Sequence, residues 1–391
     1  MANKTDIKTI GIDARFYGPV GKGLGRYTQE VVDNIIKLDT INRYVVFLTE
    51  ANFSSFDCDG VRVKKVLANI RWYTLAEQLL MPRLLKREKL DLVHFPHFNV
   101  PFFYFGKFVV TIHDLILIKY PTVRATTLSP WFYWLKNLAY RLIIWSAVWR
   151  AKRIITVSEF TKQDILRHFG IAGDKVVVTY EGVANLAKGR AGLFDASADK
   201  DALLRYNIIK PFLLYVGNVY PHKNLERLLE VFAAIQERQT NWQLVLVGKE
   251  DYFYEKLRAL AAARKLWQPG RPSPIIFSGY VPDAVLETLF KQATVYVFPS
   301  FYEGFGLPAL EAMAKGCPVV SSNRSSLPEI LGDAAIYFDP ENTAEMTAKI
   351  KTVLNDDRLR EDLRQRGFAQ VKKYSWWECA RATYEVYQKI F

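Results

Sequence analysis

A strand, a glycine-rich turn, a helix and a second strand are predicted to follow one another within Phe298–Ser322. The stretch begins as the end of a strand, since TVYVFPS (Thr294–Ser300) is rich in β-branched and aromatic residues. The run ALEAMAK has helix-forming composition, with Pro308 where a helix would take its first residue and Gly316 where it would end. The apolar run CPVVSS predicts the next strand. This order is typical of a parallel α/β sheet.

Two carboxylates mark this unit. Glu303 lies in the turn and Glu311 in the predicted first turn of the helix, with seven residues between them. A helix N-terminus presents unpaired N–H groups and a partial positive charge, so it suits a phosphate or a developing oxyanion. An acid on each side could hold the hydroxyl groups of a sugar or ribose. Alternatively, both acids only complement the helix dipole, and spacing alone leaves both interpretations open.

The whole string FPSFYEGFGLPALEAMAKGCPVVSS resembles the Glu-x7-Glu signature of retaining glycosyltransferases of family GT4, which have the two-domain GT-B fold. The resemblance implies that Glu303 faces the donor sugar and that Glu311 holds the ribose of the nucleotide. It also implies a loop whose backbone reaches the donor, formed by Gly304, Phe305, Gly306 and Leu307.

A glycine-rich segment, GPVGKGLGRY, follows the first predicted strand and is expected to be a loop leading into a helix. Glycines there would let the backbone approach a ligand closely. The spacing matches neither a P-loop nor a dinucleotide-binding GxGxxG. The segment resembles a GT4 loop that lines the ligand cleft, which implies roles for Gly23, Gly25 and Arg26 in donor binding.

Lys223 stands just before a helix predicted to begin near Asn224. A cation beside a helix N-terminus is unfavourable unless an anion lies between them, which predicts Lys223 as a phosphate ligand. The matching GT4 segment carries the same lysine, and Gly217 ends the strand before it. Its accompanying arginine is absent, because Asn218 and His222 occupy the places where it is usual.

His113 and Asp114 follow the apolar strand KFVVTI, and ligands of open α/β sheets bind at the carboxyl ends of strands. A histidine that only satisfies internal hydrogen bonds is the alternative. The string TIHDL resembles a GT4 segment, which implies that His113 reaches the donor sugar or the acceptor hydroxyl, with Asp114 orienting it. A further resemblance implies that the backbone of Gly279, Tyr280 and Val281 contacts the nucleotide base.

The chain offers little that would hold a metal ion, and none is predicted as a cofactor. The DCD at Asp57–Asp59 has the form of a metal-binding DxD, but it reads better as a polar turn between strands. His94 and His97 lack an evident third ligand. Three scattered cysteines form neither a disulfide framework nor a zinc pattern, which fits a reducing cytoplasm.

The segment Thr127–Arg153 holds four of the nine tryptophans, interspersed and followed by lysines and arginines. Such a mixture suits a helix at a membrane interface, and the net charge of +13 fits an anionic partner. Packing on the sheet is the alternative, and a helix that does both is expected. No apolar run reaches the ~18 residues that cross a bilayer. We therefore expect a cytoplasmic protein that binds the inner face of the cytoplasmic membrane through Trp131–Arg153.

The length of 391 residues predicts two or three domains. The expected division is an N-terminal Rossmann-like domain for the acceptor, a linker, a Rossmann-like domain for the nucleotide sugar and a helix that returns to the first domain. These comprise residues 1–185, 186–205, 206–372 and 373–391, respectively. The expected fold is thus α/β of the GT-B type, with two domains facing across a cleft.

The resemblance implies a retaining transferase that moves a hexose from a nucleotide sugar to a lipid-linked or polysaccharide-precursor glycan, without a metal ion. The GLGRY, HDL and SNRSSLPE segments look most like mannosyltransferases that use GDP-mannose. A UDP-sugar donor and a sugar-nucleotide epimerase on the same fold stay open as alternatives. A third is a basic membrane- or nucleic-acid-binding protein with an inactive site. Four candidate residues together (Glu303, Glu311, Lys223 and His113) favour the transferase, so no nucleic-acid partner is expected.

Overall fold

The computed structural model describes residues 6–58, 60–121, 130–183, 203–237 and 240–391; the side chains of 20, 22 and 130–133 are not described. Two compact units make up the chain: Met1–Gly182 with Ser375–Phe391, and Val183–Tyr374. Most of the linker expected at 186–205, Asp59 of the DCD segment and the beginning of the aromatic–basic segment lie outside the described residues. The Trp131 side chain lies outside them as well.

The first unit contains a seven-stranded parallel sheet with the order β3-β2-β1-β4-β5-β6-β7. Because the chain adds β2 and β3 on one side of β1 and then returns to its other side, a topological switch point lies between β1 and β4. The strands are β1 Thr9–Asp13, β2 Arg43–Leu48, β3 Val63–Leu67, β4 Leu92–Phe95, β5 Phe108–Ile112, β6 Arg153–Thr156 and β7 Val176–Val178.

Helices connect these strands and cover the sheet. They are α1 Lys22–Leu38, α2 Glu50–Phe53, α3 Leu75–Arg87, α4 Ile116–Lys119, α5 Pro130–Arg150 and α6 Glu159–Phe169, with the terminal α14 Trp376–Gln388. α14 packs against α1. Ser158 caps α6 by accepting from Thr161 N at 3.1 Å, as serine before a helix does.

The second unit contains a six-stranded parallel sheet with the order β10-β9-β8-β11-β12-β13, so its switch point lies between β8 and β11. Its strands are β8 Phe212–Val216, β9 Gln243–Val247, β10 Ile275–Gly279, β11 Val295–Phe298, β12 Val319–Ser322 and β13 Ala335–Phe338. Its helices are α7 Leu225–Gln236, α8 Tyr252–Ala263, α9 Asp283–Gln292, α10 Leu307–Ala314, α11 Leu327–Leu331, α12 Thr343–Asn355 and α13 Asp357–Val371.

The strands in the middle of both sheets are buried throughout, as apolar strands covered on both faces should be. α5 buries Ile144, Ala147 and Val148 against the first sheet. In the parts of the chain that the structure describes, no helix is both long and apolar enough to cross a bilayer.

Candidate active site

The segment after β11 carries Glu303, and hydrogen bonds from the start of α11 hold it in place. Glu303 N donates to Ser325 Oγ at 3.0 Å. Ser326 Oγ lies 3.0 Å from Glu303 O and 3.2 Å from Phe305 O, to which it donates. Glu303 is only 7% exposed. The carboxylate is thus presented by a fixed backbone and not by a mobile turn.

Lys223 is positioned by a short 3-10 turn, Pro221–Lys223, which leads directly into α7. Asn224 adopts a left-handed conformation with φ of 60° between the two. Its Nδ2 donates to Pro299 O at 3.2 Å and to Pro340 O at 2.8 Å. The first bond ties the start of α7 to the segment after β11 and the second ties it to the segment after β13, so Lys223 and Glu303 come together although 80 residues separate them.

Lys223 Nζ donates to both carboxylate oxygens of Glu303, at 2.6 and 2.8 Å. The two side chains are 14% and 10% exposed, so the pair is nearly buried. Phe298 forms part of its surroundings, with its ring centroid 6.0 Å from Nζ. Buried ion pairs are stable only as pairs, because removing one partner leaves the other charge uncompensated.

The two positions where the family pattern has an arginine do not supply a second cation. Asn218 is exposed, and its carbonyl accepts from Tyr215 Oη at 2.8 Å. Burial, with a smaller effect of the Lys223 charge, lowers the pKa of His222 to about 3. His222 is therefore neutral at physiological pH and cannot replace an arginine electrostatically.

The loop after Glu303 ends in a left-handed glycine. Gly306 has φ of 105°, and a Cβ there would lie 2.9 Å from Leu327 Cδ2. Gly304 and Phe305 are buried, and the Phe305 ring packs edge-on against Tyr374 at 5.5 Å. α10 begins at Leu307, one residue before the proline predicted to open it. Glu311 is consequently the fifth residue of the helix, beyond the first turn in which it was predicted.

Three glycines line up at the carboxyl ends of β8, β9 and β10. Gly217 N donates to Val247 O at 2.9 Å, and Gly248 N donates to Gly279 O at 3.1 Å. A Cβ on Gly248 would lie 2.2 Å from Gly217 O, so only glycine permits this approach. Glycine therefore occupies the carboxyl ends of three neighbouring strands, which present backbone atoms there without side chains. Gly248 was not among the predicted site residues.

The two residues after Gly279 differ in exposure. Tyr280 is largely exposed, whereas Val281 is buried. The Gly279 backbone is fixed by a hydrogen bond from its N–H to Tyr254 Oη at 2.8 Å. The structure therefore leaves the Tyr280 ring accessible and uses Val281 for packing.

In the first unit, the prediction that the glycine-rich segment forms a loop is wrong for its second half, which is helical. Gly23, Gly25 and Arg26 lie in the first turns of α1, because the helix begins at Lys22 after a 3-10 turn, Pro19–Gly21. A Cβ on Gly25 would lie 2.0 Å from Gly18 O and 2.5 Å from Phe16 O, whereas one on Gly23 would meet nothing within 4 Å. Gly21, at the N-cap position of α1, has no side chain that could accept a hydrogen bond from the first N–H groups of the helix.

His113 lies just past β5, with both ring nitrogens near oxygen atoms. Nδ1 is 3.2 Å from Glu181 Oε1, and Nε2 is 3.0 Å from Pro96 O. The Tyr27 ring packs edge-on against it at 4.5 Å. Burial alone would lower the pKa of His113, but the hydrogen bond and charge of Glu181 raise it above the usual 6.5. A protonated imidazole satisfies both contacts, since each nitrogen then donates.

Glu181 takes the orienting role that sequence assigned to Asp114. Asp114 Oδ1 instead accepts from Ile116 N at 2.9 Å at the start of α4. The other two histidines of this region are neutral, because burial, with a smaller effect of His113, lowers the pKa of each to about 3. His94 bonds Thr111 Oγ1 at 2.8 Å and Tyr387 Oη at 2.5 Å. Within the described ranges, no three His, Cys, Asp or Glu side chains group to hold a metal ion.

Several residues that build these clusters were not predicted, namely Glu181, Asn224, Gly248, Ser325 and Ser326. The left-handed Asn224 just before a predicted helix and Gly248 at a predicted strand end carried a local signal. Glu181 and the two serines contact residues far from them in sequence, so no local pattern could identify their roles.

Models of two families match this chain. The model described as "Glycosyl transferases group 1" matches residues 204–370, and the one described as "Glycosyltransferase Family 4" matches residues 21–184. Between them they include the Lys223–Glu303 pair and the His113–Glu181 pair.

Curated relatives and solved structures are similar along nearly the whole chain. O-antigen chain mannosyltransferase B of Escherichia coli is 32% identical over 388 residues, covering 94% of this chain and 96% of that protein. O-antigen chain mannosyltransferase RfbU of Salmonella typhimurium is 22% identical over 86% of this chain and 88% of its own. The crystal structure of a glycosyltransferase from Rickettsia africae has a TM-score of 0.71 at 19% identity, covering 98% and 99% of the two chains.

The structural likeness confirms the predicted α/β fold of the two-domain GT-B type. The match of both family models and the 32% identity along the chain agree with the resemblance seen in sequence. The chain belongs to glycosyltransferase family 4 and is a glycosyltransferase.

Proposed function

We propose that this enzyme transfers mannose from GDP-mannose, with retention of configuration, to a glycan acceptor that is lipid-linked or a polysaccharide precursor. The names of the two O-antigen mannosyltransferases support mannose as the sugar. The observation that carries the catalytic part is the nearly buried Lys223–Glu303 pair at the carboxyl edge of the second sheet. Ligands of open α/β sheets bind at this edge.

The charges of Lys223 and Glu303 are opposite to the charges that develop on the substrate during the reaction. As the bond from the anomeric carbon to the diphosphate breaks, positive charge develops on the sugar ring and negative charge on the diphosphate. Lys223 would stabilise the leaving diphosphate, and Glu303 would face the sugar. The acceptor hydroxyl attacks from the face that the diphosphate leaves, and its proton passes to the departing phosphate oxygen. No enzyme nucleophile is needed for this same-face substitution.

His113 acts in this proposal as a positioning group: its Nε2–H would exchange the carbonyl of Pro96 for a sugar or acceptor hydroxyl. Its two nitrogens face Glu181 and Pro96 O, and the hydrogen bond and charge of Glu181 raise its pKa despite burial. A protonated imidazole has no lone pair and cannot accept a proton. In that form His113 positions the substrate, and the proposal passes the acceptor proton to the departing phosphate oxygen and not to His113.

The donor nucleotide would lie along the second sheet. Its diphosphate would meet Lys223 and the N–H groups at the start of α10, and its ribose would meet Glu311. The nucleoside would lie against the backbone at Gly217, Gly248 and Gly279, where these three strands end. We include no metal ion in this proposal, so dialysis against a chelator should leave the transfer rate unchanged. A rate that falls and returns with added Mg²⁺ would refute this part.

Calorimetry with GDP, UDP, GDP-mannose and a UDP-hexose tests the donor. GDP and GDP-mannose should bind the wild type, and Lys223→Ala should raise their Kd at least about 10-fold, as loss of a charged hydrogen bond predicts. Lys256→Ala is the matched control, because Lys256 pairs with Glu226 on the exposed surface. Preference for the UDP ligands would name the alternative donor class. Binding of none would favour a basic binding protein with an inactive site.

The first unit also carries an exposed aromatic–basic surface. We define it by Phe102, Phe103 and Phe105 before β5, by Trp134, Leu135, Leu138, Leu142, Trp145 and Trp149 on α5, and by Lys136 and Arg141. Arg150 Nη1 donates to Phe102 O at 2.7 Å and joins the two parts. Apolar side chains mixed with cations suit the interface of an anionic bilayer. The surface supports binding to the inner face of the cytoplasmic membrane, where a lipid-linked acceptor would be available.

A further inference from the structure

Asn224 stands between Lys223 and α7 in a backbone conformation that few side chains adopt. Its φ of 60° lies in the left-handed region, which asparagine tolerates better than most residues and which glycine adopts without steric cost. Glycine would therefore be sufficient at this place if the backbone alone mattered. Asn224 is only 7% exposed, and a buried amide is expected to have hydrogen-bond partners. Those partners indicate what the asparagine side chain adds.

The side chain of Asn224 does not cap the helix that it precedes. Asparagine at an N-cap normally accepts a hydrogen bond from an N–H group in the first turn of the helix. In α7, which the structure describes throughout, Asn224 makes no such bond. Its Oδ1 lies 3.5 Å from Arg227 Nη1, and its Nδ2 donates twice to other segments of the chain. The amide thus connects the start of α7 to residues that are distant in sequence.

Both Nδ2 bonds end on proline carbonyls at the carboxyl edge of the second sheet. Pro299 directly follows β11, and Pro340 follows β13 after one intervening residue. Arg227 Nη1 donates to the same Pro340 O at 2.5 Å, and its guanidinium lies 5.7 Å from the Phe301 ring centroid. The Asn224 side chain therefore joins the segments that follow three strands, β8, β11 and β13.

The turn that carries Lys223 is bonded to the segment after β11 on both sides of the lysine. His222 O accepts from Phe301 N at 2.8 Å, and Asn224 Nδ2 donates to Pro299 O at 3.2 Å. Lys223 lies between these two bonds, and the segment after β11 continues to the carboxylate that its Nζ contacts. The bond from Nδ2 is the one of the two that depends on a side chain, so a substitution can remove it.

We propose that Asn224 is a positioning residue, which places Lys223 relative to Glu303 so that the lysine can hold the donor diphosphate. This role rests on the proposed transferase function and requires no contact between Asn224 and the donor. The lysine side chain is long and flexible, so its direction depends on the backbone from which it starts. A shift of that backbone by about 1 Å would misplace the cation, and misplacement on this scale can cost about 100-fold in rate.

Asn224→Gly removes the amide and keeps the left-handed backbone. Its kcat should fall about 10- to 100-fold, and its Kd for GDP should rise at least about 3-fold. Asn224→Ala loses the same hydrogen bonds and adds backbone strain, so it should be less stable in thermal unfolding and yet equally slow. Asn207→Gly is the matched control, because Asn207 has φ of 56° in the same unit and its side chain makes no hydrogen bond within the described residues.

A protein without Lys223 shows whether Asn224 acts through the lysine. In the Lys223→Ala protein, Asn224→Gly should raise the Kd for GDP further by less than about 2-fold, because no cation is left to misplace. A purely structural role of Asn224 would multiply the Kd by the same factor with and without the lysine.

Urea denaturation tests the role of Asn224 without any nucleotide. The coupling between Lys223→Met and Glu303→Gln should fall to less than about half when it is measured in the Asn224→Gly protein, since the two charges no longer meet in one geometry. If no nucleotide sugar binds the wild type but this coupling falls, the donor proposal fails and the placement of the pair by Asn224 stands.

An unchanged coupling in Asn224→Gly would overturn the positioning role, as would equal factors in the two Kd comparisons. A rate that falls with stability from Asn224→Gly to Asn224→Ala would also contradict it, as would an equal loss of rate in Asn207→Gly. Failure of Asn224→Gly to fold would overturn it too, because the amide would then hold the fold and not the pair.

Discussion

Lys223 Nζ donates to both carboxylate oxygens of Glu303, at 2.6 and 2.8 Å, and the pair is nearly buried. Each charge is therefore compensated mainly by the other. Lys223→Met or Glu303→Gln alone should lower the free energy of unfolding by about 3 kcal/mol, because each leaves a lone charge in a buried place. Urea denaturation at pH 7 measures this.

The double variant Lys223→Met/Glu303→Gln should recover much of the loss, since neither charge is left. Arg324→Met is the control: its pairs with Asp339 and Glu341 are exposed, and their loss should cost no more than about 1 kcal/mol. Additive effects of the two single substitutions would show that the pair does not couple. All three variants of the pair should be inactive, because recovery of stability does not restore the charges that the reaction needs.

Gly25 and Gly23 lie two residues apart in α1 but in different surroundings. Gly25→Ala should destabilise the protein by about 1–3 kcal/mol, because its Cβ would overlap Gly18 O and Phe16 O. Gly23→Ala meets open space and should stabilise the helix by up to about 1 kcal/mol. Thermal unfolding of the two variants and the wild type measures these opposite changes in stability. Equal effects would mean that the loop Phe16–Gly18 moves away from the helix at little cost.

The variant Gly23→Ala also tests donor binding without a loss of stability. The family resemblance implies a donor-binding role for Gly23, so Gly23→Ala should raise the Kd of the nucleotide sugar while the protein stays fully folded. An unchanged Kd would contradict the donor-binding role that the family resemblance implies for Gly23.

The strands predicted from the apolar runs KFVVTI and TVYVFPS are confirmed as β5 and β11, because buried parallel strands carry their signal locally, whereas the fold with two sheets was implied by the family resemblance. The start of α1 was mispredicted for a tertiary reason. Glycine has a low helix propensity, so GPVGKGLGRY reads as a loop, but Gly25 is needed where α1 touches the carbonyl of Gly18. The propensity was overridden by a contact that sequence alone does not display.

The site was predicted in part for a similar reason. Lys223 could be identified because a cation before a helix is locally unfavourable, but its ion pair with Glu303 spans 80 residues. Glu181 shows the limit more clearly. It lies 68 residues from His113 in an ordinary strand-to-loop segment, and nothing in that segment predicts that its carboxylate is buried beside an imidazole.

His113 and Glu181 make a pH-dependent contribution to stability. The pKa of His113 is raised above its unfolded value of 6.5 despite burial, because of Glu181. The stabilisation from the His113–Glu181 contact is therefore fully present below pH 6.5 and is lost as the pH rises through the pKa of His113 in the folded protein. Between those values, wild type should lose stability relative to Glu181→Gln, whose His113 lacks the neighbouring charge.

NMR titration of the imidazole resonances measures the pKa directly, with His113→Asn to assign the signal. The pKa of His113 should fall in Glu181→Gln, because burial then acts without an opposing carboxylate. His94 is the internal control and should stay neutral throughout, since burial lowers its pKa to about 3. An unchanged His113 pKa in Glu181→Gln would show that another group sets it.

The aromatic–basic surface predicts binding to anionic vesicles. Trp145→Ser/Phe105→Ser should weaken partitioning at least about 10-fold, because burial of each large side chain in the interface contributes on the order of 1.5–3 kcal/mol. Trp377→Ser is the matched control, as Trp377 is comparably exposed on α14, outside the surface. Co-sedimentation with phosphatidylglycerol vesicles measures both variants.

A substitution of Arg150 tests whether the aromatic–basic surface is an ordered structure or a set of unconnected exposed apolar residues. It donates to Phe102 O at 2.7 Å and to Ser146 Oγ at 3.0 Å, and it lies 5.0 Å from the Phe105 ring centroid. Arg150→Met keeps much of the apolar stem but releases the Phe102–Phe105 loop from α5, so vesicle binding should fall although no exposed apolar side chain is lost. Salt should weaken wild-type binding through Lys136 and Arg141, with about 1 kcal/mol for each near the membrane surface. Binding that is unaffected by Arg150→Met and equal for neutral phosphatidylcholine vesicles would contradict an ordered, charge-selective membrane surface.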